Sequence, residues 1–261
     1  MKERVCNYVI NSVVCVLILL PAAAWAALPL ITDDTYTQGK GNSQLEVGAI
    51  YVGDNSSEGG IATNETDYAL LSTMTYGITN RVDVFIDLFY VWFHVQTEGS
   101  VITADGFSDT VLGMKWRLSE GDRLSIAVKP LMILPTGNED KGLGGGRIDY
   151  GAYFILTKEL GSWAIHANLG YVRNENKVDE RNDLWQASLA TTYEMVKDLK
   201  FCADIGVITN KDKTSEVEPS YLLAGLIYSA RGNIDVSLGV KFGLTKPEKD
   251  WALLPGVTYR F

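Results

Sequence analysis

Trp251-Ala252-Leu253-Leu254-Pro255-Gly256-Val257-Thr258-Tyr259-Arg260-Phe261 ends the chain, and every second side chain in it is apolar. A period of two places Trp251, Leu253, Pro255, Val257, Tyr259 and Phe261 on one face of a strand and Arg260 on the other. The edge strand of a soluble sheet reads the same way. What the apolar face meets has to be decided from the rest of the chain.

Residues 1–26 have the three parts of a cleavable export signal: Lys2 and Arg4 at the start, an apolar stretch from Val9 to Leu20, and the small-residue exit Ala24-Trp25-Ala26. The apolar stretch is short and broken by Asn11, below the roughly 20 residues of a spanning helix, so a retained anchor is the weaker reading. Val14 stands before Cys15 where lipidation wants a small residue, which argues against a lipoprotein. Cleavage after Ala26 removes Cys6 and Cys15 and leaves Cys202 alone, expected as a small buried side chain with no intrachain disulfide. Because the signal carries two basic residues and one acid, cleavage moves the formal charge from -9 to about -10. Such acidity excludes nucleic acid and an anionic cytoplasmic surface as partners. It leaves a membrane interior open, because the charges of a barrel point into water.

The body of the chain repeats one pattern: an alternating run of about ten to thirteen residues, a tight turn, a second run, then a longer polar loop. About twelve runs follow, with outward apolar sets at 45–51, 68–76, 82–92, 112–118, 124–134, 148–156, 163–171, 185–193, 199–207, 222–228, 234–242 and 251–261. Tight turns are expected at 77–80, 119–122, 159–161, 196–198 and 230–233, rich in the Gly, Asn and Asp that tolerate hairpin backbones. Long loops are expected at 54–64, 94–106, 135–146, 174–181, 209–218 and 245–250, in strict alternation with the turns. Aromatics such as Tyr68 and Tyr76, Trp163 and Tyr171, and Trp185 and Tyr193 fall at the ends of the outward sets, where interfacial girdles would place them. The expected fold is all-β: a transmembrane, antiparallel, up-and-down β-barrel of about 12 strands over residues 43–261. Its last strand is similar to the closing strand of bacterial outer-membrane barrels, whose terminal Phe the barrel assembly machinery reads, with outer-membrane lipid as the second partner.

The same register turns a mixed set of polar side chains inward, and Asp83, Asp87, Asp109, Lys115, Arg117, Lys129, Arg147, Asp149, His166, Asn168, Glu194, Asp204 and Lys241 are the lumen-lining candidates. Charges cannot face hydrocarbon, where one costs roughly 2–4 kcal/mol near the midplane. Two readings compete for them: a structural ladder of ion pairs filling a narrow barrel, or a wetted passage that selects a solute. Gly48, Gly113, Gly151, Gly170, Gly206, Gly225, Gly239 and Gly256 also point inward, where relief of strand curvature outweighs ligand contact as an explanation. Phe85, Phe89 and Tyr153 break the polar pattern and suggest apolar patches suited to a hydrophobic solute. Residues 27–42 precede the first strand, are weakly periodic, and are expected at the periplasmic mouth or in the lumen as a small plug, a disordered leader being the alternative.

Catalysis is poorly supported. His166 and Asn168 resemble two members of a lipolytic Ser/His/Asn set, yet no nucleophile motif accompanies them and they face the lumen rather than lipid. Two histidines and one mature cysteine provide no metal-ligand spacing, and no cofactor is expected. Gly142-Leu143-Gly144-Gly145-Gly146 lacks the Lys-Ser/Thr of a phosphate loop.

Several segments together resemble the MetA-pathway phenol degradation, or transporter-like, family of outer-membrane barrels. They are Pro29-Leu30-Ile31-Thr32-Asp33-Asp34-Thr35, Gln38-Gly39-Lys40-Gly41, Gln44-Leu45-Glu46, Gly106-Phe107-Ser108-Asp109, Leu112-Gly113-Met114-Lys115-Trp116-Arg117-Leu118, Leu134-Pro135-Thr136-Gly137, Asp149-Tyr150-Gly151 and His166-Ala167-Asn168-Leu169-Gly170-Tyr171. Tyr36 departs from the small residue expected there. The resemblance implies a non-enzymatic bacterial outer-membrane barrel that moves small organic compounds, often aromatic. It assigns no role to His166 or Asn168. An outer-membrane lipid hydrolase and a structural or adhesive barrel with a sealed lumen are the alternatives.

Overall fold

A computed structural model describes residues 28–58, 61–97, 100–121 and 124–261, so the export signal read at 1–26 lies outside the described residues. The strands are β1 (Ser43–Glu58), β2 (Ile61–Gly77), β3 (Val82–Thr97), β4 (Ser100–Phe107), β5 (Thr110–Glu120), β6 (Leu124–Leu134), β7 (Asp149–Leu160), β8 (Trp163–Arg173), β9 (Asp183–Val196), β10 (Leu199–Ile208), β11 (Ser220–Arg231), β12 (Ile234–Gly243) and β13 (Trp251–Arg260). Each is antiparallel to its neighbours, and β1 pairs with both β2 and β13, which closes the sheet on itself. Ser43 and Phe261 exchange backbone bonds of 2.7 and 2.9 Å at this seam. Closure satisfies every ladder without a helix, the condition for crossing lipid with strands.

Thirteen segments make a twelve-stranded wall because β4 and β5 share one position. β4 pairs with the upper part of β3, from Tyr90↔Phe107 to Thr97↔Ser100, and β5 with its lower part, from Asp87↔Val111 to Val82↔Trp116. Between these stretches Leu88 and Phe89 face Ser108, Asp109 and Thr110, with the Ser108 amide donating to the Phe89 carbonyl at 2.9 Å. One extra residue is a β-bulge, and it reverses the in-and-out alternation: Asp105 and Phe107 point outward before it, Leu112, Met114 and Trp116 after it.

Two expected loops are strand instead. β1 and β2 stay paired to Glu58↔Ile61, and β3 and β4 to Thr97↔Ser100, so residues 54–58 and 61–64, and residues 94–97 and 100–106, are paired strand standing above the wall. β1 pairs with β13 only as far as Gly53↔Trp251, beyond which the hairpins form their own sheet. Asp54-Asn55-Ser56-Ser57-Glu58 read as loop because nothing alternates there; above hydrocarbon, neither face of a strand has to be apolar. The connections after β2, β7, β9 and β11 fall within a residue or two of the expected turns, with Gly161 and Asp198 supplying the positive φ of two of them, whereas the turn expected at 119–122 is strand to Glu120 and lies at 122 outside the described residues.

The outer face carries a band of exposed Val47, Leu70, Met74, Val84, Leu88, Leu169, Leu189, Ile205, Leu226, Leu238 and Val257. Aromatic pairs bound it at both rims. Trp163 stacks on Tyr193 at 4.4 Å and Tyr259 on Phe261 at 5.2 Å at the turn rim, while Tyr51 meets Tyr68 and Trp251 at 5.1 and 5.3 Å at the loop rim. Among the described residues no helix is long and apolar enough to cross a membrane. The fold is an outer-membrane type β-barrel, its turn rim periplasmic and its loop rim outward.

Candidate functional site

The lumen holds residues 28–42, which run from its middle to the turn rim through turns and bends before entering β1. Leu28, Leu30, Ile31, Thr32, Asp33 and Thr35 are all buried, Thr32, Asp33 and Thr35 completely. The wall holds this stretch mainly by its backbone. The Asp204 carboxylate on β10 accepts from the amides of Ile31 (2.8 Å) and Thr32 (2.7 Å) and from the Thr32 hydroxyl (2.7 Å). On β8, Asn168 Nδ2 donates to the Asp33 carbonyl (2.9 Å) and Asn168 Oδ1 accepts from the Asp33 amide (2.6 Å), as a paired strand would. Thr157 Oγ1 on β7 accepts from the Thr35 amide (3.0 Å), which leaves its hydroxyl hydrogen for His166 Nδ1 at 3.0 Å. Below this, Asp83 accepts from the Gln38 amide (2.9 Å) and Tyr36 donates to Glu159 (2.7 Å).

Asp33 is the electrostatic centre of the arrangement. Lys115 on β5 and Lys129 on β6 reach its two carboxylate oxygens at 2.7 and 3.0 Å. Lys129 also sits 4.3 Å from the Phe85 ring centroid, a cation–π contact that covers part of its desolvated ammonium. A carboxylate completely enclosed by protein is tolerable only with such pairing.

Glycines on the inner wall make room for the enclosed segment and for tyrosine rings. A Cβ on Gly239 would meet Pro29 Cβ at 2.7 Å, one on Gly225 would meet Pro29 Cγ at 2.8 Å, and one on Gly256 would meet Leu28 Cδ1 at 2.7 Å. Gly170 and Gly206 lie under the rings of Tyr153 and Tyr221, at 2.1 and 2.6 Å from where a Cβ would stand. Curvature therefore does not account for these positions; each marks a side chain lying flat on the wall.

The sequence candidates separate into four groups. Asp83, Lys115, Lys129, His166, Asn168 and Asp204 converge on residues 28–42. Asp109, Asp149 and Lys241 hold the outward loops: Asp109, re-aimed by the bulge, accepts from the amides of Gly137 (2.9 Å) and Gly145 (2.8 Å), Asp149 from that of Glu175 (2.7 Å), and Lys241 pairs with Glu248 (2.8 Å). Arg117 bonds the Asn80 carbonyl at the turn rim (3.0 Å), and Asp87 accepts from Thr73 (2.7 Å). Arg147 and Glu194 are exposed, Arg147 in the loop before β7 and Glu194 where β9 nears its turn, so neither is enclosed by the wall. At the mouth, Lys177 donates to Glu139 at 2.8 Å and holds that exposed carboxyl below its usual range.

Sequence reasoning did not find Thr32, Asp33, Thr157 or Tyr221, which act by contact across the lumen and carry no local signal. It also understated the apolar part of the wall. Beyond Phe85, Phe89 and Tyr153, the buried cluster takes in Ile50, Val52, Ala69, Leu71, Val91, Phe93, Val95 and Leu131, concentrated on β1–β3 in the outward half. His166 and Asn168 are buried on the opposite side of the wall from lipid, His166 bonded to Thr157 and Asn168 to Asp33, so they form no lipolytic constellation. Among the described residues no group of His, Cys, Asp and Glu is placed to hold a metal, and Cys202 is a buried free thiol.

The family described as "Putative MetA-pathway of phenol degradation" matches residues 29–261. Among solved structures, the chain is similar to a COG4313 outer membrane channel from Pseudomonas putida F1, at 15% identity and a TM-score of 0.68, covering 87% of this chain and 98% of that one. It is also similar to the NanC porin (11% identity, TM-score 0.56, 82% and 98% covered) and the KdgM porin (10% identity, TM-score 0.56, 84% and 99% covered). No curated protein matches by sequence. These three are an outer-membrane channel and two porins, and the likeness shows the fold, a β-barrel of the bacterial outer-membrane type.

Proposed function

Because the chain belongs to the family described as "Putative MetA-pathway of phenol degradation", we propose that this outer-membrane barrel channel passes small organic solutes, aromatic ones among them, and that residues 28–42 plug it. The observation that carries the reading is the mode of attachment. The enclosed stretch is held by hydrogen bonds, ion pairs and the packing of Leu28, Pro29, Leu30 and Ile31, and among the described residues it is joined covalently to the wall only where it enters β1, so it is removable in a way that a side chain of the wall is not. The wall it would uncover joins an apolar face on β1–β3 to a polar face on β7–β10, a lining suited to uncharged molecules with limited polarity.

Two further elements belong to the proposal. Residues 1–26 act as the export signal, and the strand ending at Phe261 is the part read by the assembly machinery before the apolar band takes up its place in lipid. A Phe261→Ala chain then reaches the outer membrane in reduced amount.

The deciding measurement compares planar-bilayer conductance of the refolded chain beginning at Ala27 with that of a chain beginning at Ser43. Conductance rises in the shorter chain, and cells whose outer membrane contains it take up a labelled monoaromatic faster. If the shorter chain folds, as judged by its heat-dependent shift on gels, yet conducts no more than the longer one, the plug reading fails. Absence of aromatic uptake from either chain removes the solute assignment.

A further inference from the structure

Gln186 and Ser188 on β9 face the lumen two residues apart. Their cross-strand partners are Gly170 and Asn168 on β8 and Ile208 and Gly206 on β10. The two glycines are covered by the rings of Tyr153 and Tyr221, so this part of the wall consists of two flat rings with two polar side chains between them. Tyr153 donates its hydroxyl to Gln186 Oε1 at 3.1 Å, which fixes the orientation of the amide. Its other end, Gln186 Nε2, has no partner, and neither has Ser188 Oγ. Gln186 is 3% and Ser188 8% exposed.

Buried amide and hydroxyl groups are ordinarily satisfied, and an orphan pair on one patch asks for an oxygen from outside the chain. The surroundings restrict what that oxygen belongs to. Tyr153 is part of the same buried cluster as Phe89 and Leu131, so one side of the orphan pair is apolar. The nearby charges are engaged: Asp204 with Ile31, Thr32 and Tyr221, and Lys241 with Glu248. No free cation stands among these groups to receive an anion.

We propose that Gln186 and Ser188 are the hydrogen-bonding half of a solute subsite for a small, neutral aromatic ring bearing one hydroxyl or carbonyl oxygen. The ring packs against Tyr153 and the cluster beside it. Its oxygen accepts from Gln186 Nε2, and the Ser188 hydroxyl supplies the second contact. The inference rests on the channel reading and narrows its solute from aromatic in general to a phenol-like class, at the expense of bare hydrocarbons and carboxylates.

The test is binding rather than passage, so its result is separable from that of the conductance experiment. Fluorine NMR titration of the full mature barrel in detergent uses 4-fluorophenol, fluorobenzene and 4-fluorobenzoate, with protein-free micelles as the partition blank. The parent binds 4-fluorophenol about tenfold more tightly than fluorobenzene, the equivalent of about 1.4 kcal/mol, and 4-fluorobenzoate no better than fluorobenzene. Ser188→Ala, which removes one oxygen and preserves packing, weakens the preference, and Gln186→Leu together with Ser188→Ala abolishes it while fluorobenzene binding is retained. A parent with no preference for the phenol overturns the subsite. So does a preference that survives in both variants.

Discussion

Replacing Asp204 by Leu tests how residues 28–42 are held. The substitution keeps a side chain of similar size on β10 and removes the acceptor for the Ile31 amide, the Thr32 amide and the Thr32 hydroxyl, at 2.8, 2.7 and 2.7 Å. Hydrogen bonds to a charged acceptor contribute about 1.5–3 kcal/mol each, and the cost of burying the carboxylate offsets part of that. Counting only the two backbone bonds at the low end gives a loss of about 3 kcal/mol, a shift of roughly 150-fold in the ratio of docked to undocked segment. Single-channel recording reads this ratio as the fraction of time spent in the high-conductance state. Asp87→Leu is the matched control, since it removes an equally buried carboxylate whose contact is with Thr73 on the neighbouring strand and not with the segment. Asp204→Leu raises the open fraction and Asp87→Leu does not. Equal opening in both variants, or a correctly folded Asp204→Leu barrel that stays as closed as the parent, would refute the argument that this carboxylate clamps the segment.

Other changes probe the same structure from different sides. Lys129→Met leaves Asp33 its bond to Lys115, whereas Lys115→Met with Lys129→Met strands a completely enclosed carboxylate and destabilises docking by about 3–5 kcal/mol; protease cleavage within residues 28–42, rare in the parent, becomes rapid only in the double variant. Gly239→Val places a side chain where Pro29 lies, and a Cys introduced at Leu28 changes from protected to reactive toward an aqueous maleimide, Cys202 being buried in either case. The Glu139 carboxyl, held below its ordinary value by Lys177, stabilises the mouth loops fully above the carboxyl's unfolded pKa and loses that contribution as pH falls through the lower, folded one. Proteolysis in the Gly142–Gly146 loop by an acid-active protease therefore increases toward low pH in the parent and is insensitive to that step in Glu139→Gln.

The wall was legible and its contents were not, for a physical reason that individual residues make clear. Strands such as β8 announce themselves because lipid on one side and water or protein on the other impose a period of two on every residue from Trp163 to Tyr171. Lipid imposes nothing above the rim, and there Asp54–Glu58 is strand without any alternation to mark it. Inside the barrel the determining contacts are transverse: Asp33 finds Lys115 and Lys129 from 82 and 96 residues away. No local spacing encodes such a meeting. His166 and Asn168 are visible as unusual inward residues, but Asn168 bonds Asp33 and His166 bonds the Thr157 that receives the Thr35 amide, contacts made through a segment with no periodicity of its own. Gly170 and Gly239 looked alike in sequence; one lies under a tyrosine ring and the other against Pro29. The bulge at Ser108–Asp109 does leave a trace, because the parity of apolar residues changes between Phe107 and Leu112.

The seam between β1 and β13 sets an order of events. Gln44 and Arg260 meet across 216 residues, so the last bonds of the ring are among the most distant in the chain and await synthesis and folding of all that lies between. Residues 28–42 continue directly into β1 and lie inside the finished ring. They have to be on the inner side of the curling sheet before Ser43 and Phe261 join, or else enter afterwards through an end of a closed cylinder. The clasp formed by Asp204, Asn168 and Thr157 belongs to strands already present while the sheet is still open. The partners of the segment are therefore in place on the chain before the last strand that seals the ring.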